Sequence, residues 1–299
     1  MRAAEGRGQW ALAVAQKRDS FRRGWYKFSR DRMSVVGLVS VFLVVLVAVL
    51  APYITPYPAH AKAYVNFTEA RQPPSLSHFF GTDVLGRDVF SRVLFGFQFS
   101  LLLGVVVLGI TVPIGVTFGL IAGYNRGRWL ETAIMRVTDI FLAVPPLILA
   151  LAVSSILKPN IFNAMMAVSM TWWPWYCRLV FAASSSIRTE AFVQAAEVTG
   201  ASGFRIATRE ILPNCISTIF TKMTLDMGLV IIMGSCLSFL GLGVQPPKPG
   251  LGTMIADGAN YLPAQWWICV FPALGIVVIV LGFNLLGDGL RDLFAVEEV

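Results

Sequence analysis

Val35-Val-Gly-Leu-Val-Ser-Val-Phe-Leu-Val-Val-Leu-Val-Ala-Val-Leu-Ala-Pro-Tyr-Ile54 runs for twenty residues without a charged side chain. A helix that crosses a bilayer needs about 20 mostly apolar residues, so this stretch reads as a membrane span. Nine cations precede it: Arg2, Arg7, Lys17, Arg18, Arg22, Arg23, Lys27, Arg30 and Arg32. A basic cluster on one flank of a span is the positive-inside signal and predicts a cytoplasmic N-terminus. The span follows about 30 residues of polar, basic chain and ends on Ala51–Pro52, a poor cleavage site, so it is expected to be an uncleaved anchor.

Working outward, Ser100–Tyr124 and Trp266–Leu286 are further uncharged stretches of span length. Three weaker ones, Ile140–Leu157, Ile161–Cys177 and Met227–Val244, carry charge at one boundary: Arg136 and Asp139, then Arg178, then Lys222 and Asp226. Six spans are therefore predicted in an all-α, polytopic membrane protein with both termini cytoplasmic. The 299 residues are 56 % hydrophobic and 14 % charged. An ordinary soluble domain has roughly 45–50 % and about 25 %, so a water-soluble globular protein is excluded. The six-span topology puts 17 of the 24 Lys and Arg residues inside and six outside, with Lys222 beside a span. The net charge of +7 thus reports orientation and asks for no nucleic-acid partner.

Three regions are expected: a basic cytoplasmic segment at 1–33, a first span and outer loop at 34–99, and a core of five spans at 100–299. In the outer loop Val84, Leu85, Val89, Val93 and Leu94 lie near helical spacing with Arg87, Asp88 and Arg92 between them. That pattern predicts an amphipathic helix at the outer interface. Asp83 and Asp88 could form an acid–base pair, but a helix N-terminus with local Asp–Arg pairing is the stronger reading. Pro113, Pro145–Pro146, Pro174 and Pro272 fall inside spans and predict kinks. Cys177, Cys215, Cys236 and Cys269 lie in or beside spans without metal-ligand spacing, so neither disulfides nor a metal site is expected. The chain has no His-Glu-x-x-His, Gly-x-Ser-x-Gly or Walker A signature, and its two histidines, His60 and His78, sit in the outer loop. Catalysis and a bound cofactor are not expected.

The most informative segment, 187–214, is cytoplasmic and reads Ile187-Arg-Thr-Glu-Ala-Phe-Val-Gln-Ala-Ala-Glu-Val-Thr-Gly-Ala-Ser-Gly-Phe-Arg-Ile-Ala-Thr-Arg-Glu-Ile-Leu-Pro-Asn214. Thr189 is placed to cap a first helix, Gly200 to supply the positive φ at its end, and Ser202 to start a second. Ala195 and Ala196 leave a small-residue face that lets another protein approach closely.

This segment resembles the Glu-Ala-Ala-x-x-x-Gly-x9-Ile-x-Leu-Pro signature of bacterial ABC importer permeases. Gln194, Ala195, Ala196, Gly200, Leu212 and Pro213 occupy its positions in register, with Gln194 replacing the glutamate and Glu210 standing where many members have isoleucine. Gly81-Thr-Asp-Val-Leu-Gly-Arg-Asp-Val-Phe-Ser-Arg92, Leu237-Ser-Phe-Leu-Gly-Leu-Gly-Val-Gln-Pro-Pro247 and Leu286-Gly-Asp-Gly-Leu-Arg-Asp292 resemble the C-type permease of dipeptide, oligopeptide and nickel importers. The similarity runs from about residue 22 to the C-terminus.

The resemblance implies a type I ABC importer transmembrane domain, here half of a pathway for peptides. It implies three kinds of partner besides membrane lipid: a homologous second permease, two ATP-binding subunits that carry ATP and magnesium, and an extracytoplasmic binding protein. It assigns Gln194, Ala195, Ala196, Gly200, Leu212 and Pro213 to docking on an ATP-binding subunit, with Pro213 ending the second helix before the fifth span. Lys222 and Asp226, four apart on one helix, are expected to pair, and they are candidates for the pathway or its gate together with Trp172, Trp173 and Trp175. A boundary pair near the cytoplasmic face is the stronger reading of the two charges, and packing that of the tryptophans. The alternative function, an ion-coupled secondary transporter or channel working alone, predicts ion ligands at mid-membrane and two repeated halves, and neither is visible. A structural scaffold would leave 187–214 unexplained.

Overall fold

The computed structural model describes residue 22 and residues 24–295. Arg2, Arg7, Lys17, Arg18 and Arg23, and with them most of the predicted basic segment 1–33, lie outside the described residues.

Residues 24–30 are helical, and helix α1 follows over Arg32–Ile54, begun by Asp31, whose carboxylate accepts the Ser34 backbone N–H at 2.8 Å. Helix α2 spans Val89–Tyr124, α3 Trp129–Leu142, α4 Pro146–Ile156 and α5 Ile161–Ile187. Helix α6 covers Ala191–Val198, α7 runs unbroken over Gly203–Phe239, α8 covers Leu251–Ala259 and α9 covers Trp267–Ala295. Among the described residues, four helices are long and apolar enough to cross a membrane, or five if the bent α3–α4 pair is one span. Helix α5 has the length, 27 residues, but is not in that set.

Three predicted boundaries are corrected. The single span Ile140–Leu157 is instead α3 and α4, bent by 85°. Pro145 and Pro146 offer no N–H to the preceding turn and disfavour helical backbone in the residue before each, so α3 stops at Leu142 and α4 restarts with Pro146 in its first turn. The predicted interfacial helix around Val84–Leu94 does not form. Residues 81–88 make a tight loop closed by a Thr82–Asp88 bridge, and residues from Val89 onward are the opening turns of α2. Asp88 determines that start by accepting the Ser91 N–H at 2.7 Å, while Val89 and Val93 are buried in the main core. Finally, Pro213 ends nothing: a π-helical stretch, Ile206–Ile211, precedes it, and the wider turn carries the helix past the ring into Leu212–Phe239.

Small residues set the closest helix contacts. Gly115, Gly119 and Gly123 form one stripe of α2 facing Tyr176, Cys177, Val180 and Ser184 of α5; a methyl group at Gly115 would stand 2.5 Å from Tyr176 Cβ. Such spacing lets two backbones meet where apolar lipid gives no driving force for association. Gly37 of α1 meets the Leu285–Leu286 backbone of α9 in the same way.

At the end of the bundle where α1 ends and α2 begins, residues 55–88 fold into a buried polar cap. Arg87 Nε donates to Asp83 Oδ2 at 2.6 Å, and Arg92 donates to the His60 carbonyl at 3.0 Å. The Asp88 backbone N–H donates to His60 Nδ1 at 2.9 Å, and the other side of Asp88 meets His78 Nδ1 at 2.9 Å. Both histidines are buried. Burial pushes the His60 imidazole below its ordinary pKa, outweighing the attraction of Asp88.

Candidate functional site

At the opposite end, the connection from α5 to α7 projects as two helical limbs. Glu190, not Thr189, is the residue that precedes α6; the Thr189 hydroxyl donates back to the Ser186 carbonyl and so is unavailable to cap. Gly200 has φ +82°, and the N–H groups of Gly200 and Ala201 return to the carbonyls of Glu197 and Ala196, closing the helix end as predicted. Ser202 then accepts the Arg205 N–H and opens α7.

The limbs are anchored to the end of α2. Arg188 donates to the Tyr124 carbonyl and lies 4.9 Å above the Tyr124 ring, and a methyl group at Gly203 would stand 2.7 Å from Tyr124 Cε1. Beneath them Val193, Ile206, Ile211 and Cys215 form a separate small core with Leu120 and Val180.

The six candidate docking residues divide. Ala196 and Leu212 pack against this small core, whereas Gln194, Ala195, Gly200 and Pro213 are exposed. Beside them stand three apolar side chains that the sequence reading had not singled out: Phe192, Val198 and Phe204, exposed by 45 %, 89 % and 80 %. Bare aromatic and aliphatic groups clustered on a polar segment mark a protein-binding surface. Their signal in the sequence was simply large apolar residues inside a stretch too polar to span.

The second set of candidates is held in the bundle. Lys222 Nζ donates to Asp226 Oδ1 at 2.6 Å, and Trp172 Nε1 of α5 donates to Asp226 Oδ2 at 3.1 Å. Asp226 is fully buried and the Lys222 side chain is 29 % exposed. The pair sits near the middle of Leu212–Phe239. The buried Tyr176 hydroxyl stands beside Asp226 without a hydrogen-bond partner among the described residues. The three tryptophans do not share a surface. Trp172 is buried on Asp226, Trp173 packs between Phe118 and Phe141, and Trp175 is exposed with Lys222 Nζ 5.9 Å above its ring. Among the described residues no group of three metal-ligating side chains converges.

Residues 115–296 match the family described as binding-protein-dependent transport system inner membrane component, and residues 20–74 match the N-terminal transmembrane domain of oligopeptide transport permease C. A probable D,D-dipeptide transport system permease of Escherichia coli K12 is 40 % identical over 261 residues, covering 87 % of this chain and 86 % of that protein. A dipeptide transport permease of Alkalihalophilus pseudofirmus is 38 % identical, covering 94 % and 90 %. A glutathione transport permease of Escherichia coli O6 is 41 % identical, covering 93 % and 90 %. Among solved structures, the inward-facing MetNI methionine ABC transporter matches in fold, with a TM-score of 0.57 at 18 % identity, over 69 % of this chain and 97 % of that one.

Proposed function

The chain belongs to the family of binding-protein-dependent transport system inner membrane components, and on that footing we propose that it forms half of a translocation pathway for di- or oligopeptides. As a permease subunit of an ABC importer it is a multi-pass inner-membrane protein and not an enzyme; ATP hydrolysis lies on separate subunits. Relatives named for dipeptide and glutathione transport support peptides as the substrate class. The proposed assembly adds a homologous second permease, two ATP-binding subunits that hold ATP and magnesium, and an extracytoplasmic binding protein. The proposed topology has six crossings, α3 and α4 together making the third, with α6 and the start of α7 cytoplasmic.

One observation carries the mechanism: Phe192, Val198 and Phe204 project from a rigidly anchored two-limbed segment. They fit a groove on an ATP-binding subunit, where Gln194, Ala195, Gly200 and Pro213 allow close approach and Ala196 and Leu212 brace the segment from inside. When ATP draws two such subunits together, the docked limbs move with them. The pathway changes state only because this contact differs in free energy between its inward- and outward-open forms. Lys222, Asp226, Trp172 and Trp175 are assigned to the pathway, and Trp173 to packing.

Co-expression with the two ATP-binding subunits tests this reading. The permease should retain both through purification, and Val198→Asp should release them while leaving the permease folded; retention by that variant would overturn the docking assignment. Peptide uptake by proteoliposomes holding the full assembly should require ATP, and uptake driven instead by an ion gradient would favour the alternative.

A further inference from the structure

A groove of about 500 Å³ opens between α5, α7 and α9, with Lys222 in its wall. That volume is within the usual range for small-molecule sites. Its polar wall is a stripe of α7, Ser217, Thr218, Thr221 and Lys222, faced by Arg291 of α9; Leu179 and Leu225 supply apolar surface. The charge is one-sided. Lys222 and Arg291 line the groove, no carboxylate lines it among the described residues, and Asp226 is sealed behind Lys222 with no exposure.

Two features bear on what such a groove takes. An ammonium carries three donors, and Asp226 engages Lys222 Nζ through one oxygen at 2.6 Å, leaving donors free toward the groove. The buried carboxylate thereby holds the Lys222 head group in place. The hydroxyls of Ser217, Thr218 and Thr221 share this wall with the ammonium, and the Thr221 hydroxyl donates back to the Ser217 carbonyl at 3.0 Å.

We propose that this groove is an oxyanion subsite of the pathway in which Lys222, backed by Arg291 and the hydroxyls of Ser217 and Thr218, takes the C-terminal carboxylate of a passing peptide. The proposal rests on the permease reading and adds a chemical requirement: the substrate presents a free carboxylate to this half of the bundle. Asp226 is a positioning residue that never touches substrate.

The test uses the assembled importer in detergent, without the binding protein. Lys222 is modified by an amine-reactive reagent and its labelling rate is read site by site by mass spectrometry. Alanyl-alanine should slow labelling about tenfold once it stands about tenfold above its Kd, while alanyl-alanine amide and short-chain phosphatidylglycerol should leave the rate unchanged. Arg291→Gln should weaken protection by the free dipeptide about threefold, the loss of one exposed charge contact. Equal protection by the amide, better protection by the phospholipid, no protection, or a Lys222 that the reagent cannot reach would each overturn the proposal. ATP-driven uptake by the same preparation, measured separately, reports on the permease reading itself, so the two failures are distinguishable.

Discussion

Gly119→Ala should weaken the permease, although alanine is the better helix former. In open space on a helix, Gly→Ala gains about 1 kcal/mol. Gly109, on the same helix with nothing within 4 Å of where a Cβ would stand, provides that reference. At Gly119 the added methyl would lie 2.7 Å from the Cys177 carbonyl oxygen, 2.8 Å from Val180 Cβ and 3.1 Å from the Phe181 nitrogen. Ordinary contacts are about 3.5–4.0 Å, so α5 would have to retreat by roughly 1 Å. Two of the three atoms are backbone and cannot turn aside, and the retreat loosens the contacts at Gly115 and Gly123 as well. Overpacking of this kind costs about 1–3 kcal/mol, which offsets or exceeds the helical gain. Gly119→Ala should therefore fall about 1–3 kcal/mol below Gly109→Ala in SDS-induced unfolding of the purified permease, followed by circular dichroism. If Gly119→Ala is as stable as Gly109→Ala, the close approach of α2 and α5 is wrong.

Four further outcomes follow from other parts of the molecule. Gly200→Val places a β-branched residue at φ +82°, so it should cost about 1–2 kcal/mol and reduce ATPase-subunit retention, whereas Gly200→Asn should be tolerated better; pull-down yields compare the two. Lys222→Ala strands a fully buried carboxylate and should cost about 3–5 kcal/mol, more than Asp226→Ala, which frees a cation that can reach the groove; chemical unfolding ranks them, and the double change Lys222→Gln with Asp226→Asn should recover most of the loss. Phe204→Ala removes an 80 % exposed ring, so it should leave unfolding within about 0.5 kcal/mol of the parent yet lower stimulated ATPase activity several-fold. His60 is held neutral by burial, its pKa below the unfolded value near 6.5, so the cap's stability is present above about pH 6.5 and is lost as pH falls toward the folded pKa. Hydrogen exchange in residues 55–88, corrected for intrinsic rates, should rise between pH 7.5 and 5.5, and less so in His60→Gln.

Fold class was legible because lipid imposes a coarse constraint: a run such as Val35–Ile54 has no other explanation. The Gly200 and Ser202 features were legible because each acts through local backbone chemistry. What failed depended on partners distant in sequence. Val89 and Val93 have helical spacing whether they lie on a surface or open a buried helix, and only burial in the main core decides. Thr189 is a good cap by type but is drawn back to Ser186. The spacing of Lys222 and Asp226 shows one partner of the buried carboxylate, and the other, Trp172, is 54 residues away. The stripe of Gly115, Gly119 and Gly123 was present in the sequence at four-residue spacing, but its meaning requires the facing helix.

The unbroken course of α7 has a geometric consequence. Phe204 and Lys222 are carried on one rod, about 27 Å apart at 1.5 Å per residue, so the azimuth of one fixes the azimuth of the other. The π-helical stretch Ile206–Ile211 lies between them and holds more residues per turn than an α-helix, which makes it a phase adjuster. Inserting or deleting one residue there would rotate Lys222 by about 100° relative to Phe204 while leaving both ends intact. Angular register, as much as contact, then links events at the two-limbed segment to the orientation of the Lys222–Asp226 pair.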